Sequence, residues 1–188
     1  MRIKATLIAA LACLSACEGP EKDAATETAP ATSDQGLSAV FVSTAPVDAQ
    51  NVSEVFADPK PGREVVVSGE VMGSMNPLVE GRAMMVLGDP TKITPCNRIE
   101  GDSCPTPWDV CCDDPEVIKK SIATIQVLGE DGRPLKEGLE SVNGLEKLSF
   151  VTVKGTIAEG SNPQNLLINA KAIHVAKTSP FAKVMKVQ

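Results

Sequence analysis

Five stretches of this chain read as strands, and the first carries the period of two that belongs to a half-buried strand. The pattern is clearest in REVVVSGEVMG, where Val65, Val67, Gly69 and Val71 share one face. Glu64, Ser68 and Glu70 point the other way, with Val66 and Met72 among them. Residues 82–87, 121–128, 148–158 and 166–175 read as four more strands. Asn76-Pro77, Glu80-Gly81 and Glu130-Asp131-Gly132 punctuate them as loop and turn signals, and residues 159–165 form a polar loop. A longer connection over 134–147 carries Leu135, Leu139, Val142 and Leu145. Ahead of the first strand, residues 47–57 place Val52, Val55 and Phe56 on one helical face, with Asp48 as the expected cap and Asp58-Pro59 as the stop. With no tyrosine, four phenylalanines and one tryptophan, the core must be aliphatic. Three strands, a longer connection and two more strands predict a mainly β, five-stranded Greek-key barrel. Gly69 inside the long first strand permits the sharp coil by which one strand serves both halves of such a barrel. A two-sheet sandwich would want about seven strands.

The N-terminus decides the expected compartment. Arg2 and Lys4 precede an apolar run, Ala5 to Leu14, too short to cross a bilayer comfortably, which reads as a cleavable export signal. Its end, Leu14-Ser15-Ala16-Cys17, resembles the bacterial lipobox. That resemblance implies diacylglyceryl transfer to the Cys17 thiol, cleavage of residues 1–16, and acylation of the new amine. Several acyl chains anchor durably where one binds reversibly. Residues 17–46, rich in Ala, Thr, Glu and Pro, bury little and read as a disordered tether. Glu18 is not the aspartate associated with inner-membrane retention, so outer-membrane anchoring facing the periplasm is expected. Loss of Arg2 and Lys4 takes the 18 basic residues to 16 against 24 acidic ones, a net charge of −8. Such a chain repels polyanions, which argues against nucleic-acid binding. Roughly 140 residues remain for one folded domain, expected over 47–176, with 177–188 as a tail.

Cys13 leaves with the signal and Cys17 carries lipid, so Cys96, Cys104, Cys111 and Cys112 remain, all within the insertion 89–120. An even set in an oxidising compartment is expected to form two disulfides. Adjacent Cys111 and Cys112 rarely bond each other, so one reaches Cys96 and the other Cys104, in an order the sequence leaves open. The segment is poor in aliphatic residues, and burial alone is not expected to hold it in one shape. Trp108, after Pro105 and Pro107, is expected to cover the bridges or plug the barrel mouth. Asp114-Pro115 reads as a helix start. Zinc through four thiolates competes with the bridges, but the paired Cys-x-x-Cys knuckles of structural zinc sites are missing. Met72, Met75, Met84 and Met85 offer thioethers suited to cuprous copper, although Met84 and Met85 must face opposite sides of a strand.

REVVVSGEV and FVTVKGTIAEGSNPQNLLINAKAIHV resemble bacterial OB-fold modules, which implies an OB-fold-like barrel. DSCPTPWDVCC, with the flanking EGRAMMVLGD and SIATIQVLGEDGRPLK, is similar to a group of small bacterial lipoproteins of unassigned activity that share this cysteine loop. OB barrels bind over strands two and three and the loops beside them. On that map the ligand surface comprises Met75, Asn76, Arg82, Met84, Gln126, Ser161, Asn162 and Gln164, with Trp108 in the adjoining loop. It lacks the aromatics that stack bases. His174 is the only histidine, and no G-x-S-x-G or phosphate-cradling loop is present, so no enzyme and no cofactor is expected. The expectation is a lipid-anchored, non-catalytic binding or scaffolding protein of the envelope, its partner a protein or a glycan. A periplasmic copper- or zinc-handling protein is the alternative, with an envelope-polymer hydrolase less favoured.

Overall fold

The computed structural model describes residues 36–181. The export signal, Cys17, most of the tether and the last part of the tail lie outside the described residues. Within them, strands β1 (Gln50–Asn51), β2 (Glu64–Val71), β3 (Met84–Gly88), β4 (Ile122–Gln126), β5 (Phe150–Ile157) and β6 (Leu167–Val175) are joined by two short helices, α1 (Val52–Phe56) and α2 (Pro115–Lys120). The sheet order is β1-β2-β3-β4-β6-β5, and β5 returns to β2. Strands β2 to β6 thus close a five-stranded barrel in which β4 and β6 run parallel and the other barrel pairs antiparallel. This is the OB-fold arrangement expected from the strand order. Among the described residues, no helix is long and apolar enough to cross a membrane.

The alternation of β2 has its expected result. Val65, Val67, Gly69 and Val71 are buried inside, and the strand bonds β5 over Glu64–Glu70 before meeting β3 at Glu70 and Val71. Gly69 sits where the strand bends from one partner to the other. A Cβ there would lie 2.5 Å from the Gly88 carbonyl oxygen and 2.9 Å from Leu87 Cγ, so only glycine admits this approach. A register shift at Lys154/Gly155 bends β5 against β6 in the same way. The interior is aliphatic, as composition requires: Met85, Leu87, Ile125, Val151, Val153, Ile168 and Ile173 are fully buried. Each such side chain contributes roughly 1.5–3 kcal/mol on leaving water. The connection after β4 forms no α-helix. It folds back through backbone bonds from Leu135 to Val127 and from Ala83 to Leu135, which seats Leu139 and Leu145 in the core.

Two boundaries differ from the sequence reading. The helix begins at Asn51 rather than at Asp48, because Glu54 reaches back to accept from the Asn51 amide at 2.7 Å, whereas Asp48 lies in a bend with φ 59°. Val52, Val55 and Phe56 are nonetheless buried together, as their spacing predicts. The packed domain also starts before Val47. Leu37 is 3% exposed in the main core, Phe41 bridges Ile173, and the Val42 amide donates to the Ile173 carbonyl. At the other end, Phe181 packs on Phe150 with ring centroids 6.0 Å apart, so the segment after residue 176 returns to the barrel.

Candidate functional site

The insertion between β3 and β4 lies over the outer wall of the barrel and has a core of its own. Met72, Ile93 and Val110 are buried together, with Trp108, Ile118, Ile122 and Leu148 packed around them. A few separated apolar residues, too sparse to show periodicity, meet here residues from outside the insertion. Backbone bonds add to them. The Cys96 amide donates to the Asp109 carbonyl at 2.8 Å and the Asn97 amide to that of Pro107 at 3.0 Å, which folds the turn Cys96–Arg98 against the strand of chain bearing Trp108. Asp114 caps α2 by accepting from the Glu116 and Val117 amides, with Pro115 in the first turn, as its sequence predicts.

Four side-chain contacts fasten the insertion to the rest of the molecule. Asp89, fully buried, accepts from the Ser53 amide and hydroxyl on α1 and from the Thr91 amide and hydroxyl at its own end of the insertion. Burial alone would raise its carboxyl; the hydrogen bonds from Ser53 and Thr91 outweigh it and hold the group below the ordinary carboxylate value. Arg98 pairs with Glu70, whose carboxylate on the outer face of β2 is also held by the Ser179 hydroxyl. Trp108 donates its indole N–H to the Met75 carbonyl at 2.8 Å, and Lys147 Nζ stands 4.9 Å from the ring centroid. Trp108 thus binds the insertion to the loop after β2 and does not plug the barrel mouth. Glu70, Arg98 and Asp89 escape sequence reasoning for different reasons. Nothing local joins Glu70 to Arg98. Asp89, by contrast, opens Asp-Pro-Thr, a turn signature that could have been read.

The four cysteines come together around Cys96, itself 1% exposed. Its Sγ lies 3.8 Å from that of Cys111, and Cys96, Cys104 and Cys111 keep their sulfurs within 4.8 Å of one another. Cys96, Cys112 and an Asp102 carboxylate oxygen form a second group of the same tightness. The two disulfides expected from the sequence are not formed in this structure: all four cysteines are free, with Cys111 and Cys112 exposed and Cys104 half-buried. Burial, and then the neighbouring Cys111 and Cys104, push the Cys96 thiol well up. The Thr106 hydroxyl, with Cys104 and Thr106 side chains 3.2 Å apart, lowers the thiol of Cys104, and the nearby Cys111 raises that of Cys112.

The remaining sequence-predicted residues fall into two sets. Met84 and Gln126 are opposite each other on neighbouring strands, half-buried on the outer wall, and Gln126 Nε2 donates to Asn169 Oδ1 of β6 at 2.7 Å. Beside them Val86 faces Thr124, also half-buried. Met75, Asn76 and Arg82 are exposed in the loop after β2, while Asn162 and Gln164 are exposed at the tip of the β5–β6 loop. Ser161 differs: it is buried, and its hydroxyl both donates to and accepts from the Leu167 backbone. The far end of the wall is covered, since Ile122 lies under the insertion. The methionines are split between environments. Met85 is in the main core, Met72 in the insertion's core, and Met75 is 64% exposed. A cleft of about 380 Å³ between α1 and α2 is lined by apolar Phe56, Ala57 and Val117, with Lys92, Glu116 and Lys120 on it.

No protein-family model matches this chain, and no curated protein matches it. Among solved structures, the chain is similar to a "putative aspartyl-tRNA synthetase" from Leishmania major Friedlin, with a TM-score of 0.37 and 15% identity over 76% of this chain and 26% of that one. It therefore spans only about a quarter of that protein's length.

Proposed function

We propose that this is a lipid-anchored envelope protein whose OB-type barrel is a non-catalytic binding or scaffolding module for a protein segment or an envelope glycan. The observation that carries the reading is the half-open outer wall of β3, β4 and β6. The barrel interior is filled by aliphatic side chains, so ligand contact falls to this wall, where Met84, Val86 and Thr124 offer apolar contact and the Gln126–Asn169 amide pair offers donors and acceptors. Two loops, carrying Met75 and Asn162, flank it. The two buried acids, Asp89 and Glu70, are engaged in holding the insertion, which disfavours a hydrolase built on them. The wall bears no aromatic to stack a base, and the chain is net negative, which disfavours nucleic acid. The lipobox at Cys17 supplies the anchor in this reading.

The test joins two measurements on the full chain in cells. Metabolic labelling with a clickable fatty acid should mark the protein and be lost in Cys17→Ala. A photo-crosslinker at position 84 or 126 should capture a partner that the same crosslinker at exposed Lys136 does not. Digestion of the adduct by protease or by a glycan hydrolase identifies its class. Label that survives Cys17→Ala, or capture equal at all three positions, would overturn the proposal.

A further inference from the structure

We propose that Cys96, Cys104 and Cys111 are a thiolate site for a closed-shell thiophilic cation, zinc(II) or copper(I), with Cys112 or Asp102 supplying a further donor. This goes beyond the binding module above and does not depend on lipid anchoring or on the barrel's outer wall.

The spacing of the sulfurs carries the argument. A tetrahedral site with Zn–S bonds of about 2.3 Å has sulfur–sulfur edges of about 3.8 Å. The Cys96–Cys111 separation is 3.8 Å, and Cys104 completes a triangle with no side above 4.8 Å. Cys111 and Cys112 are adjacent, and one short stretch of chain seldom offers both as ligands to one ion. The structure places them in two overlapping groups. Cys111 belongs with Cys104, Cys112 belongs with Asp102, and both groups share the buried Cys96. The donor set is accordingly soft: three sulfurs, with a fourth sulfur or one carboxylate beside them. Such a set selects zinc or cuprous copper over magnesium or calcium.

The surroundings prepare those donors. The pairing of Cys96 and Asn97 with Pro107 and Asp109 aligns the two ligand-bearing segments without any sulfur–sulfur bond. The cluster of Met72, Ile93 and Val110 holds them against the barrel. Exposed Cys111 and Cys112 leave the ion an entry path to buried Cys96. Each coordinating thiol gives up its proton to water as the ion binds, so uptake releases protons and strengthens as pH rises.

The experiment uses the full chain, purified anaerobically without reductant. Intact mass before and after reduction counts bridges, at two hydrogens gained per bridge. Metal content is read on the same sample, and Zn²⁺ and Cu⁺ are then titrated separately against chromophoric chelators. The expected result is four free thiols and one equivalent of one of the two ions. Cys96→Ser, Cys104→Ser and Cys111→Ser should each weaken binding more than about 100-fold, beyond the 10–100-fold that outer-shell changes produce. Cys112→Ser and Asp102→Asn should weaken it less. Cobalt substitution adds a thiolate charge-transfer band that must lose intensity and need more cobalt in Cys104→Ser, a half-buried position whose variant keeps the fold testable by circular dichroism should Cys96→Ser not fold. Two bridges in the isolated chain, or uptake unchanged in Cys104→Ser and Cys111→Ser, overturns the proposal. The outer-wall captures described above are independent of either result.

Discussion

Arg98 reaches from the insertion to the outer face of β2 and sets Nη2 2.7 Å from Oε1 of Glu70, a carboxylate with no exposed surface. Oε2 of the same group has no hydrogen-bond partner among the described residues. Removing the guanidinium leaves a buried charge uncompensated. Arg98→Ala should lower stability by about 3–5 kcal/mol, whereas the double replacement Glu70→Leu/Arg98→Met should be far milder. Urea unfolding followed by far-ultraviolet circular dichroism measures both; equal losses would show that Arg98 does not compensate the Glu70 charge.

Asp89 links stability to pH. Its carboxyl is lowered in the folded state, since the Ser53 and Thr91 hydrogen bonds overcome the effect of burial. Its contribution is therefore full above the unfolded carboxylate value of about 3.9 and is lost as pH falls through the lower folded value. Asp89→Asn should cost about 2 kcal/mol at pH 7 and show a shallower decline in urea midpoint between pH 5 and 2 than the parent. A parallel decline would assign the acid limb to other groups.

Gly69→Ala places a methyl group 2.5 Å from the Gly88 carbonyl oxygen, and backbone must move to admit it. A loss of about 1–3 kcal/mol or more is expected. Gly36→Ala, with nothing within 4 Å, is the matched control and should change stability by less than about 0.5 kcal/mol. The difference in thermal midpoint between the two variants is the measurement.

Trp108 is the only tryptophan, so intrinsic fluorescence reports the insertion and not the barrel. Trp108→Phe retains most of the ring contact with Met72 and Val110 but loses the bond to the Met75 carbonyl, a change of about 1 kcal/mol; Trp108→Ala should cost about 3–5 kcal/mol. Denaturant curves by circular dichroism give both values. Similar losses would show that the ring contributes little packing.

The strands are legible because each buries one face, and alternation states that directly: Val65, Val67 and Val71 need no partner to be named. The same holds for the Asp114-Pro115 helix start, which is local chemistry. The start of α1 is harder to read because Asp48 and Asn51 are both competent caps, and the choice rests on Glu54 reaching back to Asn51. Leu37 and Phe41 look like isolated apolar residues in a polar tether until Ile173 is brought beside them. The insertion was least legible. Its core is made of Met72, Ile93 and Val110, and its fastening of Glu70 to Arg98, all contacts between distant positions that leave no periodic trace. Sequence spacing placed four cysteines in one segment, but it could not say that Cys111 and Cys112 sit in different groups around Cys96.

The seam between β2 and β5 has a consequence for how the chain matures. Val65 finds Gly155, and Val67 finds Val153, only after nearly the whole domain has been made. Such long-loop pairings are slow to form. A polypeptide emerging from its N-terminus holds an open, adhesive ribbon of sheet until Phe150 and the residues after it arrive. Truncation ahead of that point should yield aggregate rather than a smaller barrel.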